Sequence, residues 1–182
     1  VLSTIGGYQE DELIGTAPNA QFYLFITEDN TNESPLEESH WVEAAEMADS
    51  LGVDIINTSL GYNTFDNSNY DYTYNDMNGT TAFISRGVNM AYSKGIICVT
   101  SAGNEGNGNW QYITAPADAQ GSFTVGAINF EGDYAWFSSI GPTADNRVKP
   151  DVMAQGVATV NANQSGTLNT ANGTSFSGPV MA

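Results

Sequence analysis

Apolar residues come along this chain in short blocks of two kinds, and the two kinds alternate. Phe22-Tyr23-Leu24-Phe25-Ile26, within Gln21 to Thr27, is a continuous apolar run of strand length, the pattern of a parallel strand buried on both faces. Ser34-Pro35-Leu36-Glu37 then opens a helix: Ser34 can cap it, Pro35 suits its first position, and Glu37 completes a capping box. Trp41, Val42, Ala45, Ala48 and Leu51 mark one face at helical spacing, and Gly52 supplies the stop. Val53 to Ser59 predicts a second strand. Thr80 to Lys94 predicts a second helix, with Phe83, Ile84, Val88 and Ala91 inward and Gly95 at its end. Ile96 to Ser101 predicts a third strand, and Phe123 to Ile128 and Val157 to Val160 predict two more. The polar stretch Tyr62 to Asn78 is a long surface or functional loop, and Lys149-Pro150-Asp151-Val152 reads as a turn. Strand, helix, strand, helix, strand is the order of an α/β fold, three-layer, with a mostly parallel central sheet and helices on both faces. No repeat or low-complexity linker interrupts it, so residues 1–182 form one domain.

Composition narrows the function. With 182 residues, 41% of them hydrophobic, the chain can bury a sizeable core. Its net charge of −17 sets 21 acidic residues against only four basic ones, Arg86, Lys94, Arg147 and Lys149. That argues against a nucleic-acid partner, because such affinity comes from neutralising phosphates. No apolar run reaches the length of a membrane span. The one cysteine, Cys98, sits in Gly95-Ile96-Ile97-Cys98-Val99 and reads as a packing residue.

Candidate chemistry collects at two strand ends and in the last residues. In open parallel sheets, ligands bind beyond the carboxyl ends of the strands, here Thr58-Ser59-Leu60-Gly61 and Ser101-Ala102-Gly103-Asn104. The Asn104 amide can donate to an oxyanion without changing charge, although asparagine is also a common turn residue. In Asn172-Gly173-Thr174-Ser175, Gly173 permits a tight turn and Ser175 falls at a helix N-terminus. A hydroxyl there is either an N-cap or a nucleophile whose oxyanion meets preorganised amides. Pro179 fits a first helical turn, where no N–H is needed.

Five segments in order give the chain a resemblance to the subtilisin-like serine proteases, the subtilases: Ile14 to Ala20, Val53 to Gly61, Val99 to Gly106, Phe137 through Val152, and Gly173 to Pro179. The resemblance implies that Ser175 is the acylating nucleophile and that Asn104 donates its amide to the oxyanion, together with the Ser175 N–H. It implies that Ser59, Leu60, Gly61, Ser101, Ala102 and Gly103, with Thr174 beside the nucleophile, hold an extended polypeptide substrate by β-augmentation. It further implies a monomeric, secreted or extracytoplasmic enzyme that needs no cofactor for its chemistry. Calcium is common in the family, and the loop Asp66 to Asn78 offers oxygen ligands without a fixed spacing, so a solvated loop is the competing reading.

The family's base is a histidine in a His-Gly-Thr motif, oriented by an aspartate still earlier in the chain. Val1 to Gly7 is similar to the continuation of that histidine helix, so the sequence is expected to be an incomplete, internal piece of the catalytic domain, inactive alone. His40, the only histidine, is expected on a helix surface, outside any family motif. Gln155 stands where the family has proline in a structural turn, and Phe176-Ser177-Gly178 varies the small residues after the nucleophile. An α/β-hydrolase is excluded, because Gly173-Thr174-Ser175-Phe176-Ser177 lacks the last glycine of a nucleophile elbow. A non-catalytic peptide-binding domain is the alternative from another class, but it needs neither Ser175 nor Asn104.

Overall fold

The computed structural model describes all 182 residues. The chain opens with helix α1 (Leu2–Gly6) and a small antiparallel hairpin, β1 (Tyr8–Gln9) with β2 (Leu13–Ile14). Then come α2 (Leu36–Leu51), β3 (Ile55–Thr58), α3 (Phe83–Ser93), β4 (Ile97–Ser101) and β5 (Ser122–Ile128). The last third holds β6 (Val152–Gln155), the antiparallel pair β7 (Thr159–Ala162) and β8 (Leu168–Ala171), and α4 (Thr174–Met181). Strands β3, β4, β5 and β6 form one sheet in that order, parallel throughout. Alternation along β4 sends neighbouring side chains to opposite faces. Cys98 packs with Trp41, Ala45, Ile84 and Val88 of α2 and α3, whereas Val99 packs with Val125, Ala154 and Val180 of α4. The three layers expected from the sequence are therefore present, with α2 and α3 on one face and α4 on the other. No helix is long and apolar enough to cross a membrane.

Local chemistry explains most element ends. Gly52, at φ 74, closes α2, with its own N–H and that of Val53 returning to the carbonyls of Asp49 and Ala48. At the other end Pro35, not Ser34, occupies the cap position. Only half of the expected capping box forms, the Ser34 N–H donating to Glu37 Oε2 at 3.1 Å. Phe83 was expected to face inward, but it is exposed under Arg86, and Ser85 takes its place in the core. Ser85 is held there by Asp118, which accepts its hydroxyl at 2.5 Å and the Gly79 N–H at 2.7 Å. Burial pushes the Asp118 carboxyl above the usual range against those two bonds. The Tyr62–Asn78 loop is not wholly a surface excursion either, because Tyr62, Phe65 and Met77 are core residues.

Two strand expectations need correction. The Lys149-Pro150-Asp151 turn runs straight into β6, which its turn residues hid. Lys149 is buried there, donating at 2.6 Å to both the Ser122 carbonyl and Asp151 Oδ2. Desolvation lowers its pKa and the Asp151 carboxylate opposes the shift. That motif braces the amino ends of β5 and β6, at the opposite end of the sheet from Asn104.

The apolar run at residues 21–27 is not a strand. None of its backbone groups enters a hydrogen bond, and Leu24 and Ile26 are 71% and 95% exposed. The run stands away from β3, the edge strand of the sheet, across an apolar groove of about 980 Å³ in which 20 of 28 lining residues are hydrophobic. The composition of a buried strand is present, but nothing in these residues lies beside it to pair with. A flat edge next to uncovered apolar surface invites pairing with other chains. The 182-residue chain alone is therefore expected to enhance 1-anilinonaphthalene-8-sulfonate fluorescence and to self-associate; a sedimenting monomer without dye enhancement would contradict this.

Candidate active site

The carboxyl ends of β3 and β4 and the amino end of α4 enclose a cleft of about 160 Å³. Ser59, Leu60 and Gly61, just past β3, line it from one side; Ser101, Gly103 and Asn104, at the end of β4, line it from the other, with Thr174 and Ser175 contributed by α4. Of the substrate-binding residues predicted from sequence, only Ala102 is absent from the lining. It is fully buried against Ile113 and Ala117, and its N–H donates to the Val125 carbonyl.

The loop after β4 is held by the segment that begins at Phe137. Ser139 donates its N–H to the Gly103 carbonyl, and its hydroxyl accepts the Glu105 N–H, each at 3.0 Å. Gly103 sits at φ +107, and a Cβ on it would come within 2.8 Å of Ser139 Oγ. Glycine is required there for both backbone conformation and space.

Asn104 is oriented by the helix it faces. Its Oδ1 accepts the Thr174 N–H at 2.9 Å and the Thr174 hydroxyl at 3.1 Å, while Thr174 Oγ1 accepts the Gly103 N–H at 3.2 Å. The carboxamide thus acts as the missing side-chain cap of α4, whose N-cap residue, Gly173, has none to offer. With the oxygen so engaged, Nδ2 faces away from Thr174 and donates to no protein group. The Ser175 N–H, in the first turn, also donates to nothing. Both donors lie near one point, since a Cβ built on Gly173 falls 3.7 Å from Ser175 N and 3.8 Å from Asn104 Nδ2. An anion at this place would meet two unspent N–H groups and the positive end of the α4 dipole.

Ser175 is half-buried, and its Oγ makes one long contact, 3.4 Å to the Ser59 carbonyl. In return the Ser59 hydroxyl donates to the Ser175 carbonyl at 3.2 Å. Pro179 explains why that carbonyl is free. It lies in the second turn of α4, not the first, and lacks the N–H that would otherwise return to Ser175 four residues earlier.

His40 lies half-buried on α2 and lines no part of the cleft. In the loop Asp66 to Asn78 the carboxylates serve nearby amides: Asp66 accepts the Glu33 N–H, Asp71 that of Phe65 and Asp76 that of Thr73. No group of three or more His, Cys, Asp or Glu side chains converges anywhere. Sequence reasoning missed three cleft residues, Asn63, Glu105 and Thr114. Glu105 and Asn63 adjoin predicted segments and could have been named. Thr114 could not, because it reaches the cleft only through the pairing of Tyr62 with Ala115.

The subtilase family (Peptidase S8) matches residues 1–182. Subtilisin DY of Bacillus licheniformis is 32% identical over 171 residues, 93% of this chain and 54% of that protein. Subtilisin E of Bacillus subtilis (strain 168) is 33% identical over 171 residues, covering 93% of this chain and 39% of its own length. The chain thus spans about half, or less, of the relatives it matches. Among solved structures, the self-cleaved protease domain of PatA shares the fold with a TM-score of 0.77 at 24% identity, over 98% of this chain and 60% of that one. Together with the parallel sheet and the cleft at its carboxyl end, the match over the whole sequence shows that this chain belongs to the subtilase family of serine proteases.

Proposed function

We propose that the protein containing this chain is a serine endopeptidase that cleaves extended polypeptides through an acyl-enzyme on Ser175. The convergence of the Asn104 Nδ2 and the Ser175 N–H beside Gly173 carries the reading. Ser175 Oγ attacks the scissile carbonyl carbon and gives up its proton to a base. The carbonyl π electrons collapse onto oxygen, and the two waiting donors receive that charge without reorganising. The amine then leaves with a proton, and water releases the acyl group by the same path. The segments Ser59-Leu60-Gly61 and Ser101-Ala102-Gly103 flank the scissile bond; Ala102 contributes backbone position only, its side chain being buried elsewhere.

The base and its orienting aspartate lie, on this reading, outside these 182 residues, because the one histidine is not at the cleft. The 182 residues alone are then a partial peptidase domain with little activity. The test is a fluorophosphonate probe on the complete protein: it should modify Ser175, identified by peptide mapping, and leave the isolated chain unlabelled. An intact protein that takes no label would favour a peptide-binding domain without catalysis.

His40 supplies a second check. In the complete protein His40→Ala should keep kcat/KM within about threefold, as for substitutions away from functional features. Loss of a general base would instead cost about 10² or more, and a drop of that size would place His40 in the chemistry.

A further inference from the structure

Because Pro179 supplies no N–H, the Ser175 carbonyl turns toward the end of β3 and accepts the Ser59 hydroxyl at 3.2 Å. A carbonyl oxygen can only accept, so the single Ser59 proton is committed to that bond and the lone pairs of Ser59 Oγ face elsewhere. Asn57, two residues back, donates its Nδ2 to them at 3.1 Å. Residues two apart on an extended chain share a face. Thr58, between them, points the other way and accepts from Trp41 of α2, whereas the Asn57 amide lies against Gly178 of α4. The amide oxygen goes unused: Asn57 Oδ1 is buried and accepts nothing, and a Cβ built on Gly178 falls 3.6 Å from it. An unpaired buried carbonyl costs stability that an apolar side chain would spare, and parallel strands such as β3 favour apolar residues. The one hydrogen bond of this side chain is the one to Ser59.

We infer that Asn57 is a positioning residue for peptide cleavage: its amide keeps the Ser59 proton on the Ser175 carbonyl and so holds the main chain of the nucleophile in place. The inference rests on the protease reading of the cleft and adds to it a residue that lies outside the cleft lining and acts through Ser59. A serine hydroxyl turns freely among its rotamers and proton positions unless its partners fix it. Here the rotamer that gives the proton to Ser175 is also the one that accepts the Asn57 amide. The carbonyl and the N–H of Ser175 both flank its Cα. A carbonyl fixed to Ser59 therefore fixes the Oγ that attacks and the N–H that receives the oxyanion. Rate is sensitive to such placement, a 1 Å error costing about 10²-fold.

The experiment uses the complete protein, with kcat for a fluorogenic peptide expressed per active site titrated by a fluorophosphonate, so that any misfolded fraction drops out. Asn57→Leu removes the donor and should lower kcat about three- to tenfold, the worth of one neutral hydrogen bond. Asn57→Asp keeps the shape but can only accept; the new carboxylate would draw the Ser59 proton from Ser175 and lower kcat at least as far. Ser59→Ala should lower kcat by a similar factor. Asn57→Leu added to Ser59→Ala should then change kcat by less than about twofold, because a residue acting through Ser59 has nothing left to act on. A purely structural Asn57 would instead reduce the titratable fraction or the melting temperature and leave kcat per site unchanged. That result in the Asn57 variants overturns the inference, as does a double variant in which the two losses multiply, and either leaves the protease reading standing because Ser175 still labels. Absence of labelling and of peptide cleavage in the unaltered protein overturns the protease reading, and this inference falls with it.

Discussion

In the complete protein, Asn104→Asp is expected to lower kcat for peptide hydrolysis by about 10²–10³ or more, with α4 fully folded. That range is adopted from a subtilisin in which the oxyanion amide was removed. The geometry makes aspartate more informative than alanine. Asn104 does two things: Oδ1 accepts from Thr174 at the start of α4, and Nδ2 stands free near the Ser175 N–H. Alanine would abolish both, and losing a cap costs about 1 kcal/mol of stability. Aspartate retains two acceptor oxygens for Thr174 and suits the helix dipole, yet replaces the donor with a negative charge where another must develop. The expected signature is an undiminished melting temperature with turnover nearly gone and KM little changed. A variant that melts early and keeps its activity would show Asn104 to be a structural cap only.

Ser175→Ala should cost still more, about 10⁶ in kcat, again on the scale of a subtilisin, and should abolish fluorophosphonate labelling. The substitution removes only an oxygen whose single contact is a 3.4 Å approach to the Ser59 carbonyl, so the fold loses almost nothing. The Ser175 N–H and the Asn104 amide stay in place and should still bind peptide. The variant should therefore retain substrate affinity, measurable by fluorescence anisotropy, while hydrolysis falls to the level left by positioning and oxyanion contacts. Residual hydrolysis within tenfold of the unaltered protein would remove Ser175 from the mechanism.

Much of this was legible in the sequence, for reasons that differ by element. The alternation of β3, α3 and β4 could be read because each strand is short, apolar and closed by glycine or a polar turn. Ser175 and Asn104 stood out as candidates because Gly173 marks a turn into a helix and Asn104 follows a predicted strand, while the roles proposed for them came from the family resemblance. Residues 21–27 misled because composition records what a segment is suited to bury and not whether a neighbour exists to pair with it. Strand β6 was masked by Lys149-Pro150-Asp151, a turn signal that leads straight into the sheet. Pro179 was placed a turn too early, because helix boundaries follow from caps, and here the cap comes from Asn104, 70 residues earlier in the chain. Thr114 belongs to the cleft through the tertiary pairing of Tyr62 with Ala115, which no local pattern records.

The proline in α4 has one more effect. By withholding its own donor it lends the carbonyl of Ser175 to a hydroxyl on the far bank of the cleft, so the two banks are stitched together at Ser175 itself. On the proposed mechanism, a peptide bulky enough to spread Ser59 from α4 would strain that stitch and drag the Ser175 backbone with it. Tightness of grip and speed of cutting would then be geared to each other, and substitutions that loosen Ser59 should move both at once.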